Sequence, residues 1–462
     1  MAANSSKLFS LLQITWSTLS MSDQSKVEYA DSVLDQKKAI AGIYGDVDFS
    51  IVPERYVSDT SVGTQLPSAL RSYAHSALSC PERVNNIRNY TMTGDKVADA
   101  YAALIPGYGF GTLVAMLEAA CEQGIESLPD PPVELVAFIR AMEEKPDWVD
   151  MVLVEEGARQ ERIPLVTTSP FAIRGAFIAT FMNKYTALPM TMTGALSESK
   201  SARRVIETAS FFTATAMPRA MERFGNGFKA AAKVRLMHSM VRYNLMRSGK
   251  WDVATYGIPI PQVDQMPAGL IGIFLLSFKI LGQGQTQFTS AERARVEMAR
   301  YRCFLLGLPQ DLLGETPQEI VDLMIARTLS LREEYDDDIC GALIRGTMEA
   351  KLFDDPSVSG RLHRWMEGGF SKYFLIRYFC NGKVDRARKM GISYGANDKL
   401  ATAVAIAVIA ASSGFYTLGM RVPGLRTLLD KRLVGKLSKL LESYGHADFI
   451  TDASQYKLSA AE

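Results

Sequence analysis

Three observations make this sequence an all-α protein. Lys229 to Leu245 contains no Gly or Pro, and Ala231, Val234, His238, Val241 and Leu245 recur in it at three- and four-residue steps. Upstream, Arg204, Glu207, Thr208, Phe211, Phe212 and Thr215 repeat that helical spacing. Downstream, Ala268 to Leu281 is almost wholly apolar and too long for an ordinary strand, so it reads as a core helix.

Taken in order, residues 1–56 carry no sustained period and are expected to be a loosely ordered lead-in. The apolar run Leu8 to Trp16 is short, follows a single Lys7 and has no small-residue cleavage site after it, so a secretory signal is not expected. Val57 to Lys96 holds short helical patches among Asn and Ser. Val97 to Glu122 is helical apart from a break at Pro106-Gly107-Tyr108-Gly109. Pro131 and Pro132 suit the start of an amphipathic helix over Val133 to Glu144. Another helix begins near Pro146 and reaches about Arg159, and the aromatic stretch Pro170 to Lys184 is expected to be buried. Ser197 or Ser199 is placed to cap the helix that carries Glu207. Pro218 and Gly225-Asn226-Gly227 then break the chain before the histidine helix. Helices start again at Ser290-Ala291-Glu292 and Pro317-Gln318-Glu319. The consecutive acids Asp336, Asp337 and Asp338 lack the spacing of a magnesium–diphosphate motif and read as a solvated loop.

Leu400 to Met420 has no charge and is bounded by Asp398-Lys399 and Arg421. At 1.5 Å per residue it is long enough to cross a hydrocarbon core of about 30 Å, and its Ala, Ser and Gly content equally suits a buried helix. The basic stretch Arg421, Arg426, Lys431, Arg432, Lys436 and Lys439 follows, as a cytoplasmic flank or membrane-surface helix would require. Membrane association is therefore expected of this tail, residues 396–462.

Composition narrows the function classes. The 462 residues include 51 Lys and Arg against 50 Asp and Glu, so no global charge recommends a nucleic acid as partner. Cys80, Cys121, Cys303, Cys340 and Cys380 are scattered without a CxxC, which suits buried thiols in a reducing, intracellular compartment. Only four histidines occur, with no HExxH, so a multi-histidine zinc or non-haem iron site is not expected.

His238 carries the chemical argument. A histidine on an apolar helix face is most simply a core residue bonded to a backbone carbonyl. Here Arg235 lies three residues before it and Arg242 four after, within reach of whatever it touches. One imidazole between apolar walls and two cations suits a metal ligand serving a large, flat, partly anionic cofactor. Haem answers that description, with iron on His238 and propionates on Arg235 and Arg242. Those arginines equally suit a solvated helix face. Thr208 and His238 are equidistant from position 223, so antiparallel packing would set Arg204, Glu207 and Thr208 level with His238, across a macrocycle. There Thr208 would donate to bound dioxygen, Glu207 would move a proton, and Arg204 would steady negative charge. Ordinary capping and surface charge is the alternative account of those three.

Arg235-Leu236-Met237-His238-Ser239-Met240-Val241-Arg242 resembles the R-x-M-H-x-x-V-R signature of the rubber oxygenase (latex clearing protein) family. That family includes the endoplasmic-reticulum-bound oxygenase of mycophenolic acid biosynthesis. Gly257-Ile258-Pro259-Ile260-Pro261-Gln262-Val263-Asp264 is similar to its G-x-P-I-x-Q-x-D turn, and Arg204-Val205-Ile206-Glu207-Thr208 to its distal helix. The likeness covers roughly residues 169–346. It implies haem b held by His238 in a globin-like helical core; with extra helices at both ends, the haem-binding oxygenase domain is expected over residues 57–395. It also implies use of O2 on an apolar isoprenoid or polyketide-like substrate, by C=C cleavage or hydroxylation, at an endoplasmic-reticulum membrane in secondary metabolism. Rubber oxygenases can carry an iron-capping lysine where this chain has Glu207. A non-catalytic haem-binding or gas-sensing protein is the alternative, and a membrane-associated helical scaffold without cofactor is the third reading.

Overall fold

The computed structural model describes residues 29–57, 59, 66, 69–193, 198–352, 355–380 and 382–444. Among these residues all regular structure is helical, with one isolated antiparallel bridge between Tyr56 and Leu331. The chain divides into two interleaved compact units. The first comprises residues 158–219 and 334–444 of the described chain, the second residues 29–157 and 220–333. The crossover near position 219 falls in the break expected between Pro218 and Gly225.

In the second unit the histidine helix, Asn226–Arg247, packs against Lys96–Ala102 and Phe110–Gln123. Gln262–Gly282 packs beside Ser290–Leu305 and Pro317–Ser330. The last two helices begin with reciprocal caps, Thr289 with Glu292 and Thr316 with Glu319, each closing two otherwise orphaned backbone donors. The apolar helix starts at Gln262, six residues before the expected Ala268, and runs through Pro267. Pro267 offers no N–H to the Val263 carbonyl one turn back, and the Arg327 guanidinium donates to that oxygen instead at 2.7 Å. The helix therefore keeps its proline without burying an unsatisfied carbonyl.

Part of the lead-in expected over 1–56 lies outside the described residues. From Tyr29 onward the chain is ordered: Val33, Ile40, Ile43, Tyr44, Val47 and Phe49 form a core with Met92, Tyr243 and Ile258. This corrects the loose lead-in for residues 29–56, because an apolar spacing too irregular to read as one helix folds as two short ones, Asp31–Ala39 and Ala41–Tyr44.

The first unit contains Ser169–Ile178, the carboxylate helix Glu198–Thr215, and Ala342–Glu349, which meet on the core of Ile178, Phe181, Val205, Leu343, Ile344 and Leu375. The proposed caps Ser197 and Ser199 are not among residues whose side chains are described. Val358–Phe374 packs along Ala396–Gly419, and Leu425–Ser443 follows. A buried ion pair ties the two described segments of this unit together: Arg174 donates to both oxygens of Glu367 at 2.8 and 2.9 Å, and to the Thr347 and Ala350 carbonyls. The triple acid is solvated as expected, with Asp337 exposed beside Arg345, while Asp336 caps the turn that follows.

Candidate functional site

The histidine helix opens after Gly225 and runs for six turns. From Ala230 to Tyr243 every residue is buried except Met237 and His238, which are half-buried. Val234 and Val241, one turn to either side of His238 on its face, are buried. His238 thus keeps partial exposure in a stretch whose other residues, Met237 apart, are buried, with aliphatic side chains beside it. This is the arrangement a flat apolar group needs if a ring nitrogen is to bind at its centre.

Arg235 and Arg242 do not extend toward that face. Arg235 donates to both oxygens of Asp95, at 2.6 and 2.8 Å, and lies over the Phe138 ring. Arg242 is 0% exposed and donates to Asp99, to the Pro259 carbonyl at 2.9 Å and to the Ile260 carbonyl at 2.7 Å. Asp95 caps the helix Lys96–Ala102 through the Ala98 N–H, and Asp99 lies one turn on, so one short helix presents both acids. Both side chains are buried, which corrects the solvated face considered for them. A buried guanidinium cannot be left without compensation, and folding supplies each with a carboxylate. What these pairs do is hold the histidine helix in register. Periodicity could flag the cations; only the i,i+4 acids at 95 and 99 hinted at their partners.

The second motif is the other half of this clamp. Gly257 adopts φ +69°, and a side chain there would press on the Thr91 carbonyl. Ile260 adopts φ +48°, an uncommon conformation for a β-branched residue, and it aims its carbonyl at Arg242. Gln262 donates to the Gly94 carbonyl at 3.0 Å. Asp264 accepts from Arg55 at 2.6 and 3.1 Å and lies 3.6 Å from Arg327. Gly94 sits where any Cβ would collide with the Tyr44 hydroxyl and Asp99. Tyr44 itself donates to Asp99. Burial lifts the Asp99 carboxyl above its usual range, and Arg242 pulls it back. Motif residues Arg235, Arg242, Gln262 and Asp264 therefore serve the scaffold around His238.

The distal residues lie in the first unit, on Glu198–Thr215. Phe211 and Thr215 are buried, Glu207 is 4% exposed, and Arg204 and Thr208 are half-buried. Arg204 donates to Glu207 at 3.3 Å and Arg203 at 3.2 Å. Burial raises the Glu207 carboxyl above 4.5, with Arg204 and then Arg203 opposing the rise. The expected face exists, and it contains a carboxyl held toward its protonated form. Arg203 was missed in the sequence because its spacing put it off that face; as the i−4 neighbour of Glu207 it still reaches the carboxylate.

A family model described as "ER-bound oxygenase mpaB/B'/Rubber oxygenase, catalytic domain" matches residues 165–373. This bears out the resemblance found in the three sequence motifs. Among solved structures, latex clearing protein in the closed state is similar at 19% identity and a TM-score of 0.50, covering 76% of this chain and 91% of that one. At that identity the likeness speaks to the all-α fold. No curated protein sequence gives a significant match.

Proposed function

We propose that this chain is a haem b-dependent oxygenase that uses O2 on an apolar substrate of isoprenoid or polyketide type, with His238 as the iron ligand. The observation that carries the reading is the half-buried His238 between buried Val234 and Val241, inside the segment that matches an oxygenase catalytic domain. His238 offers the single side-chain donor that a macrocycle-bound metal asks for, and Val234 and Val241 offer aliphatic contact. When bound, the haem iron supplies the activation of dioxygen.

This chain's own residues do the rest. The Arg235–Asp95 and Arg242–Asp99 pairs keep the imidazole from turning away with its helix, so these arginines are positioning residues. Glu207, whose carboxyl pKa burial raises, is the group that would take up and release a proton at its side-chain oxygen. Arg204 holds that carboxylate in place, and Thr208 contributes a hydroxyl donor one residue on. An apolar substrate partitions into lipid, which agrees with membrane association through the tail.

The test is spectroscopic. Protein expressed with a haem precursor should show an intense Soret band, and His238→Ala should lose it while keeping its helix content. Unchanged haem content in that variant removes His238 as the ligand. A haem protein that takes up no oxygen with any apolar alkene would instead be a sensor.

A further inference from the structure

The tail holds a surface that the oxygenase reading does not use. Ala396–Gly419 is long and apolar enough to cross a membrane, yet only part of it is enclosed. One side is fixed to the first unit: Ala401, Thr402, Ala405 and Tyr416 are buried, and Thr402 donates to the Gly369 carbonyl at 2.9 Å. The opposite side is exposed and apolar, with Leu400 at 60%, Phe415 at 54% and Leu418 at 63% exposure, and Ile406 and Val408 between them. Charged and polar residues normally fill the outer face of a surface helix. No charged residue occurs here between Lys399 and Arg421.

We infer that this outer face is a monotopic docking surface, on which Ala396–Gly419 lies in the plane of an anionic lipid bilayer. Crossing the bilayer is disfavoured by the helix it packs on. Val358–Phe374 carries Arg361, Arg364, Glu367 and Lys372, and Lys372 pairs with Asp398 at 2.9 Å. A spanning Ala396–Gly419 would draw those charges into hydrocarbon. Lying flat, it immerses only the exposed side. The apolar face continues through exposed Val422, Leu425 and Leu428. From Arg421 to Ser443 six cations face two acids, and one of these, Asp430, is already bound to Arg162. Lys431, Arg432, Lys436 and Lys439 are exposed, and Lys436 stands over the Tyr416 ring, which places the cations at the end of the apolar helix. An apolar face bordered by an excess of cations fits lipid tails under acidic headgroups. A second protein chain would not need that excess of one sign.

The inference deepens the membrane reading above and does not depend on the cofactor. Full-length protein is mixed with phosphatidylcholine vesicles, with or without about one third phosphatidylserine. It should sediment with the acidic vesicles at least about tenfold better, and high salt should weaken it. Lys431→Glu with Arg432→Glu and Lys439→Glu should lose that preference, and Phe415→Asp with Leu418→Asp should lose binding to both. Helix content by circular dichroism checks each variant; if the apolar variant misfolds, the charge variant still decides. Alkaline carbonate should release the bound protein. Resistance to carbonate means a spanning helix and overturns the in-plane arrangement while keeping the membrane reading. Indifference to both sets of variants overturns the proposed surface. A wild-type oligomer that Phe415→Asp dissociates, without vesicle binding, assigns the face to a second copy. If wild type binds no vesicle and is monomeric, the membrane reading falls as well.

Discussion

Arg242→Met tests whether the arginines beside His238 are structural. The substitution keeps most of the aliphatic stem and removes the guanidinium. Asp99 then remains fully buried, with Tyr44 and Ser239 near but no cation. Breaking a buried pair by removing one partner costs about 3–5 kcal/mol. The Pro259 and Ile260 carbonyls lose their donors too, at roughly 1–3 kcal/mol each where water cannot reach them. These terms overlap, so the expected loss is about 4 kcal/mol or more in urea denaturation followed by circular dichroism. Arg242→Met combined with Asp99→Asn removes the stranded charge and should recover roughly 2 kcal/mol. The pair is coupled in that case, and the two single changes will not add. A single-variant loss under about 1 kcal/mol, or strict additivity in the double variant, would refute the clamp and return Arg242 to a ligand-facing role.

Gly94→Ala should destabilise the same cluster, because the new methyl collides with Tyr44 and Asp99; a thermal midpoint equal to wild type would show that the cluster can open. Glu207→Gln should keep haem and helix content but slow oxygen uptake by roughly 10²–10⁴-fold if Glu207 moves a proton. The same variant has a pH signature. Since the folded-state carboxyl titrates above 4.5, the folded protein binds this proton more tightly than the unfolded chain. Its stabilising contribution is complete at low pH and is lost as pH rises through the raised value, so wild type should weaken relative to Glu207→Gln over that interval. A constant difference between the two denaturation curves across pH would show that the carboxyl is not shifted. Thr208→Val should slow turnover less, since one neutral hydrogen bond contributes about 0.5–1.5 kcal/mol; a loss as large as that of Glu207→Gln would make the hydroxyl central.

Local pattern determined a good deal of this protein. The three- and four-residue steps around His238 and Glu207 place each side chain on its helix face, because the α-helical period is a property of neighbouring residues. Thr289-Ser290-Ala291-Glu292 and Thr316-Pro317-Gln318-Glu319 mark their helix starts for the same reason: a cap and its partners are three residues apart. The motifs also carried the family resemblance. What the pattern could not say is whom a charge meets. Arg235 and Arg242 look like cations offered to a ligand, and their acids lie 140 and 143 positions away, brought in only when Lys96–Ala102 packs on the histidine helix. Pro267 looks like a helix start until Arg327, 64 positions beyond Val263, takes the Val263 carbonyl that the proline leaves without a donor. Leu400 to Met420 reads equally as a spanning or a buried helix from its composition; tertiary packing encloses one side and leaves the other bare. Side-chain periodicity is local, whereas ion pairing and burial depend on which distant segments fold together, and that is decided by the packed chain as a whole.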